Sequence, residues 1–385
     1  MDERKIKIAF LGNLCNMSFQ VAYFMRERGI DVTLYISDNE LHEKTSSPVL
    51  KDNSLRGELP EWISVWNGAV ALLKRKDFIS RVIERVVTLV CSVKLIFRLR
   101  SYDVILSSSV YSIISSFSGR LYLALAQGDD LRELALRPTF PGWLMRRAFK
   151  KAGIVYVSFD EGHRKAIKQI GLSNTRPLFW PYDISKYASK ETIQKKNEDR
   201  LLIFMPSNQD WGPLQKGNDR FLRAFARLFH EGRDISLILL DRGGDREKAR
   251  RLVEELKIKS VVRWLPTLNE EQLIEQFYHA DIVADQFILG SFGSTALEAM
   301  ACARPVMIYI QDKNLEGFYP EPPSILNAST EDEIYIKLKE YGDRDKLAEI
   351  GNKAREWVGK YHSKEKVVDS LLKDIYSINL QGKSN

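Results

Sequence analysis

Short apolar runs alternate with helical patterns from the start of the chain. "IKIAFLGN" is an apolar run that ends in a glycine turn, and "SFQVAYFMRERG" after it has apolar residues at helical spacing and a glycine at its end. The next apolar run is "DVTLYI". A strand, a helix and a second strand in this order predict a βαβ unit with parallel strands.

The same alternation continues along the sequence in two blocks. Further strands are predicted before residue 180 at "YDVILSSS", "RLYLALAQGDD" and "GIVYVSFD". After residue 200 they are predicted at "LLIFMPS", "ISLILLDRGG", "SVVRWLP", "ADIVADQF" and "RPVMIYI". Helical patterns lie between the later strands at Asp219–Glu231, Asp245–Lys257, Glu270–His279 and around Glu298, and the pattern after Glu331 is helical to about Ile378.

A polar stretch separates the two blocks. "PLFWPYDISKY" combines two prolines with aromatic residues, and "SKETIQKKNEDR" is polar and charged, as a linker is. A length of 385 residues suits two domains better than a single core. The sequence therefore predicts an α/β protein of two facing Rossmann-like domains with a deep interdomain cleft, in which a ligand would bind.

Composition narrows the class of protein. Hydrophobic residues at 44% and charged residues at 28% are typical of a globular protein. Cys15, Cys91 and Cys302 are far apart and the histidines are scattered, which predicts neither a disulfide framework nor a metal site. Acids precede the first apolar run, unlike in a signal peptide, and no run of about 18 apolar residues lacks a charge. We therefore expect a cytoplasmic protein.

The net charge of +7 is concentrated between Lys74 and Arg100. Apolar residues recur there at helical spacing while lysines and arginines occupy other positions, so one face could rest on anionic lipid at the inner face of the cell membrane. A solvated helix of an α/β domain explains the pattern equally well. The stretch lacks the interleaved aromatic residues of a strand-binding surface, and we expect no contact with nucleic acid.

The stretch "GSFGSTALEAMACARPVMIY", residues 290–309, is the strongest candidate for a ligand site. Gly293, Ser294 and Thr295 enter a helix whose free amides and positive dipole end suit a phosphate. The order Thr295-Ala-Leu-Glu298 also fits a capping box, in which Glu298 only satisfies a backbone amide. These residues alone leave both interpretations open.

"SFGSTALEAMACARPV" resembles a motif of the GT-B nucleotide-sugar glycosyltransferases, and among them of glycosyltransferase family 4, or glycosyl transferases group 1. The family has two glutamates separated by seven residues. The resemblance implies that Glu298, at the second glutamate, holds the ribose hydroxyls of the donor nucleotide. The first glutamate, which contacts the transferred sugar, would fall at Gly290. Its absence leaves sugar identity and stereochemistry open, and Asp285 and Gln286 are candidate substitutes unless they merely end a strand at the solvent.

"MPSNQDWGPLQKGNDRFLRAFARL" resembles the start of the family's donor domain. The resemblance places Lys216 on the lysine that pairs with the donor diphosphate, whereas the alternative is a surface lysine before a helix. Trp211 stands where the family has an arginine, and Asn208 or Arg220 are candidates to replace it. Thr267 is also assigned to the donor site.

The amino-terminal half matches the family more weakly. Gly12 and Asn13 close the first strand, where the family brings backbone amides toward the donor phosphate. "QGDDLRELA" is similar to an acceptor-side loop, in which Asp129, Asp130 and Arg132 would orient an acceptor hydroxyl. An acid-rich start of a helix explains the same residues.

The resemblance implies a GT-B architecture and a domain order. Residues 1–181 would form the acceptor domain and residues 182–360 the nucleotide-sugar donor domain. Residues 361–385 would form a helix that returns to the first domain, followed by a polar tail.

The function that the resemblance implies is transfer of a sugar from a nucleotide diphosphate, a UDP-sugar, to a hydroxyl of a glycan or lipid-linked acceptor. This hexosyltransferase would be retaining and metal-independent, would need no cofactor, and would serve polysaccharide biosynthesis. Lys216, Glu298 and Asp129 are the predicted catalytic residues. Because Gly290 and Trp211 depart from the motif, the alternative is a noncatalytic protein that binds a nucleotide sugar or a partner glycosyltransferase. "FLGNLCNMS" lacks the G-x-G-x-x-G turn of an NAD-dependent oxidoreductase.

Overall fold

A computed structural model describes residues 6–42, 59–66, 78–158, 160–177, 179–187, 200–212 and 216–382 of the chain. The chain divides into two compact units. Unit 1 comprises Met1–Pro181 together with Lys364–Asn385, and unit 2 comprises Tyr182–Ser363. The predicted linker at 189–200 lies almost entirely outside the described residues.

The strands of the described chain are β1 (Lys7–Leu11), β2 (Asp31–Ser37), β3 (Ile63–Trp66), β4 (Val104–Ser108), β5 (Leu121–Leu125), β6 (Ile154–Val157), β7 (Thr175–Pro177), β8 (Leu201–Met205), β9 (Ile235–Leu240), β10 (Val262–Leu265), β11 (Ile282–Ala284), β12 (Val306–Ile308) and β13 (Leu326–Asn327).

The helices are α1 (Met17–Glu27), α2 (Asp38–His42), α3 (Phe78–Leu99), α4 (Ser112–Ser115), α5 (Asp129–Arg132), α6 (Phe140–Lys151), α7 (Glu161–Ile170), α8 (Asn218–His230), α9 (Arg246–Glu255), α10 (Glu270–His279), α11 (Ser294–Ala301), α12 (Asp312–Leu315), α13 (Glu331–Glu340), α14 (Arg344–His362) and α15 (Lys364–Gly382). Among them, none is both long and apolar enough to cross a membrane.

Unit 1 is built on a seven-stranded parallel sheet with the order β3-β2-β1-β4-β5-β6-β7. Its core includes Ile8 and Phe10 of β1, which are fully buried. The last helix, α15, adds Val368 and Ile375 to the same core. Because burial of one such side chain stabilises by about 1.5–3 kcal/mol, α15 is an integral part of unit 1 although it follows unit 2 in the sequence.

Unit 2 is built on a six-stranded parallel sheet with the order β10-β9-β8-β11-β12-β13. Helix α8 buries Phe221 and Phe225 in the core, where Phe221 stacks on Phe287 with 5.6 Å between ring centroids. The chain runs from β8 outward to β10 and then returns to β11, on the other side of β8. The loops after β8 and β11 therefore diverge, and open α/β sheets bind ligands at such a reversal.

The predicted strands are all present, and the helical patterns of unit 2 are confirmed to within about two residues. The strands that the pattern did not predict, β3, β7 and β13, are all edge strands. The carboxyl-terminal helical pattern is divided into α13, α14 and α15 by breaks at residues 341–343 and at Ser363.

Candidate functional site

Three polar side chains meet where the strand order of unit 2 reverses. Ser207 follows β8 and Asp285 follows β11, and Ser207 Oγ lies 2.7 Å from the Asp285 carbonyl oxygen and 3.2 Å from its Oδ1. Lys216 Nζ donates a hydrogen bond to the same Oδ1 at 3.1 Å. The parallel sheet thus brings residues from two loops together at the carboxyl ends of its two central strands.

The Lys216–Asp285 ion pair is unevenly exposed. The Asp285 side chain is 1% exposed and the Lys216 side chain is 27% exposed. Asp285 Oδ2 is buried and has no hydrogen-bond partner among the described residues. Because an unsatisfied buried oxygen carries a desolvation cost, Oδ2 favours a ligand that donates a hydrogen bond to it.

The amino end of α11 lies against this ion pair. A Cβ atom at Gly293, the N-cap, would lie 3.2 Å from Asp285 Oδ2 and 3.4 Å from Lys216 Nζ. Gly293 has no side chain that could cap the helix, and the first turn contains no acid. The backbone amides at Ser294 and Thr295 and the Lys216 ammonium therefore form a positive region that suits a phosphate.

Glu298 lies in the second turn of α11 and is 9% exposed. The predicted capping box is wrong, because Gly293 is the N-cap and Thr295 is already the second residue of the helix. Burial raises the pKa of Tyr182 and of Tyr187 well above the usual value, and the charge of Glu298 adds to both increases. The Tyr182 hydroxyl also donates to the Ser294 carbonyl oxygen at 3.3 Å, so this tyrosine packs against α11.

Gln286 builds the loop that precedes α11. Its Nε2 donates to the carbonyl oxygens of Ser291 at 2.8 Å and Tyr309 at 2.7 Å. Its Oε1 accepts from the amides of Ile288 at 3.2 Å and Leu289 at 2.7 Å. The Gln286 side chain is buried, and all of its hydrogen bonds are made to the backbone. Gln286 therefore has a structural role, and its prediction as a sugar contact is corrected.

Gly290 occupies a conformation that favours glycine. Its φ is +68°, and a Cβ atom there would lie 2.9 Å from Gln311 Cγ. Its carbonyl oxygen accepts from the Gln311 amide at 3.2 Å and from Asn314 Nδ2 at 2.8 Å. The position at which the family motif has an acid is here a closely packed left-handed turn, and Gly290 offers no side chain to a sugar.

In unit 1 the amides of Gly12 and Asn13 already have acceptors. The Gly12 amide donates to the Tyr35 carbonyl oxygen at 2.9 Å, and the Asn13 amide donates to Glu40 Oε1 at 2.7 Å. The ring of Tyr111 fills the space that a side chain at Gly12 would need. The predicted phosphate contact through these two amides is therefore corrected, because a phosphate would have to displace both acceptors.

The two acids of the predicted acceptor loop differ in their environment. Asp129 is exposed and forms an ion pair with Arg132 at 3.2 Å. Asp130 is buried and accepts from the Gly128 amide at 2.8 Å, and burial raises its pKa. Asp130 therefore stabilises the loop, and Asp129 is the acid that a ligand can reach.

A buried polar group beside this loop carries no sequence motif. Asp160 caps α7 and contacts the ring of His163, and its Oδ2 lies 3.6 Å from Arg132 Nη1. Burial opposes ionisation of Asp160, but the hydrogen bond and charge of His163 and the charge of Arg132 hold its pKa well below the usual value. The only signal of this group in the sequence is an aspartate at position 160, directly before a helix, because Asp is a preferred N-cap residue.

Other candidates are placed away from the Lys216–Asp285 pair or are committed elsewhere. Thr267 is exposed and follows β10, an edge strand that β9 separates from β8. Arg220 Nη1 donates to the carbonyl oxygens of Phe287 and Ser329, at 3.2 Å and 2.8 Å. Trp211 packs against the core of unit 2. Within the described ranges no cluster of His, Cys, Asp or Glu is arranged to hold a metal ion.

Residues 188–316 match the profile of the protein family described as glycosyl transferases group 1. This segment is a glycosyl transferases group 1 domain. The segment contains Lys216, Asp285, Gly293 and Glu298, so the family match covers the whole positive region at the end of β8 and β11.

The chain is similar to D-inositol 3-phosphate glycosyltransferase of Corynebacterium jeikeium, with 37% identity over 105 residues. That match covers 25% of this chain and 25% of the length of that relative.

Solved structures show the fold over nearly the whole chain. Anabaena Alr3699/HepE in complex with UDP and glucose superposes with a TM-score of 0.69 at 15% identity, covering 97% of this chain and 100% of that one. The apo form of lipopolysaccharide outer core galactosyltransferase WaaB superposes with a TM-score of 0.64 at 14% identity, covering 97% of this chain and 99% of that one. The expected α/β class with two Rossmann-like units of the GT-B type is confirmed.

Restoring the family's first glutamate is expected to damage this glycosyl transferases group 1 domain. Gly290→Glu places a side chain on a left-handed residue and against Gln311, and we expect a loss of about 1–3 kcal/mol in the free energy of unfolding. Leu289→Glu is the matched control, because Leu289 is exposed and adjacent and should change stability by at most about 0.5 kcal/mol. Urea unfolding measures both. A Gly290→Glu protein as stable as wild type would contradict the expectation.

Proposed function

We propose that the protein transfers a sugar from a UDP-sugar to an acceptor hydroxyl, with its donor site at the carboxyl ends of β8 and β11. The observation that carries the proposal is the meeting of Lys216, Asp285 and the amino end of α11 at one point. A positive region beside a buried, unsatisfied carboxylate oxygen fits the two parts of a sugar diphosphate, its charged phosphates and its hydroxyl-bearing ring.

The chemistry follows from where charge develops. As the bond between the sugar and the diphosphate breaks, negative charge grows on the leaving phosphate. The Lys216 ammonium and the amides at Gly293, Ser294 and Thr295 would stabilise that charge without reorganisation, since the fold already holds them in place. No metal is needed for this step.

Asp285 has two roles in this proposal. Its Oδ1 holds the Lys216 ammonium beside the end of α11, and its Oδ2 accepts a hydrogen bond from a hydroxyl of the sugar ring. Glu298, one turn further along α11, would accept hydrogen bonds from the ribose hydroxyls. Asp285 thus supplies the acid that Gly290 lacks, from a loop that precedes it in the sequence.

The finer parts of the proposal concern the reaction and the acceptor. Unit 1 would bind the acceptor, with the exposed Asp129 orienting its hydroxyl. We propose a retaining hexosyl transfer to a glycan or lipid-linked acceptor in polysaccharide biosynthesis. The similarity in fold to a galactosyltransferase of the lipopolysaccharide outer core supports that setting. The UDP in the Anabaena structure supports the choice of nucleotide.

Contact with the inner face of the cell membrane through residues 74–100 is also proposed. Residues 74–77 lie outside the described residues, and the rest forms α3 and the residue after it. Leu89, Val93 and Phe97 are exposed on α3, and Lys94 and Arg98 are exposed beside them. Exposed apolar residues with neighbouring cations are the pattern of a helix that lies on an anionic membrane.

A thermal-shift screen with UDP, GDP, ADP and their sugars tests the donor site. A ligand present at about 100 times its dissociation constant stabilises the folded protein by about 2.7 kcal/mol, so we expect a clear rise in Tm with UDP and UDP-sugars. Inorganic phosphate and uridine at the same concentration are the controls. An unchanged Tm with every nucleotide sugar would refute the donor site.

The noncatalytic alternative rests on two departures from the motif. The closely packed turn at Gly290 removes the family's sugar-contacting acid, and Trp211, at the position of the family's arginine, packs against the core of unit 2. A protein that binds UDP but neither transfers nor hydrolyses any donor sugar, with cell lipid extract present, would establish this alternative and refute transfer.

A further inference from the structure

Two large aromatic side chains are exposed together at the start of α6. Phe140 is 69% exposed and Trp143 is 49% exposed, and their rings stack with 5.8 Å between centroids and an interplanar angle of 17°. Most of the exposed large apolar side chains in the described part of the chain lie between Leu89 and Trp143 of unit 1. The stacked rings of Phe140 and Trp143 form one contiguous apolar patch, and such patches mark interaction surfaces.

Cations continue the same stripe of α6. Arg147, Lys150 and Lys151 follow Trp143 at helical spacing, while Met145 and Phe149 on the other face are buried. Residues 137–151 contain five arginines and lysines and no acid. Lys150 and Lys151 form no ion pair with any described residue, so their charges are available to a partner. The partner of this surface is therefore anionic.

Neighbouring residues extend this surface toward α3. The Arg147 guanidinium lies 5.1 Å from the centre of the Phe117 ring, which is also exposed. Helix α4, which ends just before Phe117, contacts both α3 and α6. Helices α3 and α6 thus both pack against one short helix of unit 1.

We propose that Phe117, Phe140, Trp143, Arg147, Lys150 and Lys151 form a second membrane anchor, here termed the aromatic–basic face, which binds anionic phospholipid. The stacked rings of Phe140 and Trp143 insert at the level of the headgroups, where aromatic side chains are enriched, and the cations contact lipid phosphates. This inference deepens the membrane contact proposed for residues 74–100 and rests on that membrane location. It does not depend on sugar transfer.

The aliphatic neighbours distinguish a membrane from a nucleic acid. Aromatic rings and cations also bind single strands, but by stacking on separate bases. Here Phe140 and Trp143 stack on each other. The exposed residues of α3, the helix already proposed to contact the membrane, include the aliphatic Leu89 and Val93, on which a base cannot stack. A membrane fits these features better, because its hydrocarbon would contact the apolar side chains and its headgroup phosphates would contact the cations.

Flotation of the full chain with vesicles of phosphatidylglycerol and phosphatidylethanolamine, compared with phosphatidylcholine, tests the face. We expect at least about tenfold stronger binding of wild type to the anionic vesicles, weakened by salt. Phe140→Ser/Trp143→Ser and Lys150→Glu/Lys151→Glu should each reduce that binding by about tenfold or more. Ile336→Ser, on unit 2, and Lys165→Glu/Lys168→Glu, on α7, are the matched controls and should bind as wild type does.

Two further measurements separate the possible failures. Val93→Ser/Phe97→Ser tests the α3 contact alone, and the Tm shift with UDP shows that each variant is folded and keeps its donor site. Vesicle binding that the α3 changes reduce and the α6 changes do not would overturn the aromatic–basic face while keeping the earlier contact. Absence of vesicle binding by wild type would overturn both. Binding of a single-stranded oligonucleotide or self-association through Trp143, without vesicle binding, would assign the face to another partner and overturn the proposal.

Discussion

Replacing both members of the Lys216–Asp285 ion pair, Lys216→Met/Asp285→Asn, is expected to reduce sugar transfer strongly and leave unit 2 folded. Loss of the ammonium removes stabilisation of the leaving phosphate, and loss of one preorganised electrostatic group costs about 10²–10³ in rate. We expect kcat/KM to fall by at least that factor. The double replacement leaves no buried charge unpaired, so its effect on folding should be small.

The single replacement Lys216→Met is expected to behave differently. It leaves the Asp285 carboxylate 1% exposed and without its cation. Breaking a buried pair destabilises by about 3–5 kcal/mol, and the lower end applies here because Lys216 keeps partial contact with solvent. Urea unfolding of both single variants and the double variant gives the coupling energy.

A matched control is the exposed ion pair between Lys353 and Glu349, with 2.6 Å between charged atoms. Lys353→Met/Glu349→Gln should change stability by at most about 0.5 kcal/mol and leave kcat/KM unchanged. Wild-type kcat/KM in the Lys216→Met/Asp285→Asn protein would refute the role of this pair in transfer.

Glu298→Gln is expected to weaken the binding of UDP by about 10–100-fold. The carboxylate can accept from both ribose hydroxyls, whereas a carboxamide of the same size has one accepting oxygen. A hydrogen bond to a charged group contributes about 1.5–3 kcal/mol, and 1.4 kcal/mol corresponds to a factor of ten. Isothermal titration calorimetry with UDP measures the change.

The stability of the same variant separates a ligand contact from a structural role. Because Glu298 is not part of a capping box, Glu298→Gln should cost at most about 1 kcal/mol in the free energy of unfolding. The exposed Glu349→Gln is the control for affinity. Unchanged affinity for UDP together with a larger loss of stability would make Glu298 a structural residue only.

Most of the strands that could be predicted are ones that the fold buries, and the edge strand β10, which is only partly buried, is the exception. Central strands of a parallel sheet are covered on both faces, and β1 and β9 therefore appear in the sequence as apolar runs. The edge strands β3, β7 and β13 have only two to four residues and are partly buried, so none of them contains a continuous apolar run. Their pairing depends on a neighbouring strand that lies elsewhere in the sequence.

The amino-acid sequence was sufficient for the α/β class and for the position of the family motif, and it named Lys216, Asp285 and Glu298 as candidate site residues. These are local properties, because periodicity and spacing are read within a few residues. Only the tertiary structure shows which candidate residues contact one another and which already have all their hydrogen-bond partners within the protein. Lys216 and Asp285 are 69 residues apart, and Gln286 reaches the carbonyl oxygen of Tyr309 across 23 residues. A hydrogen-bond partner at that separation is set by the order of strands in the sheet, and no local pattern specifies it.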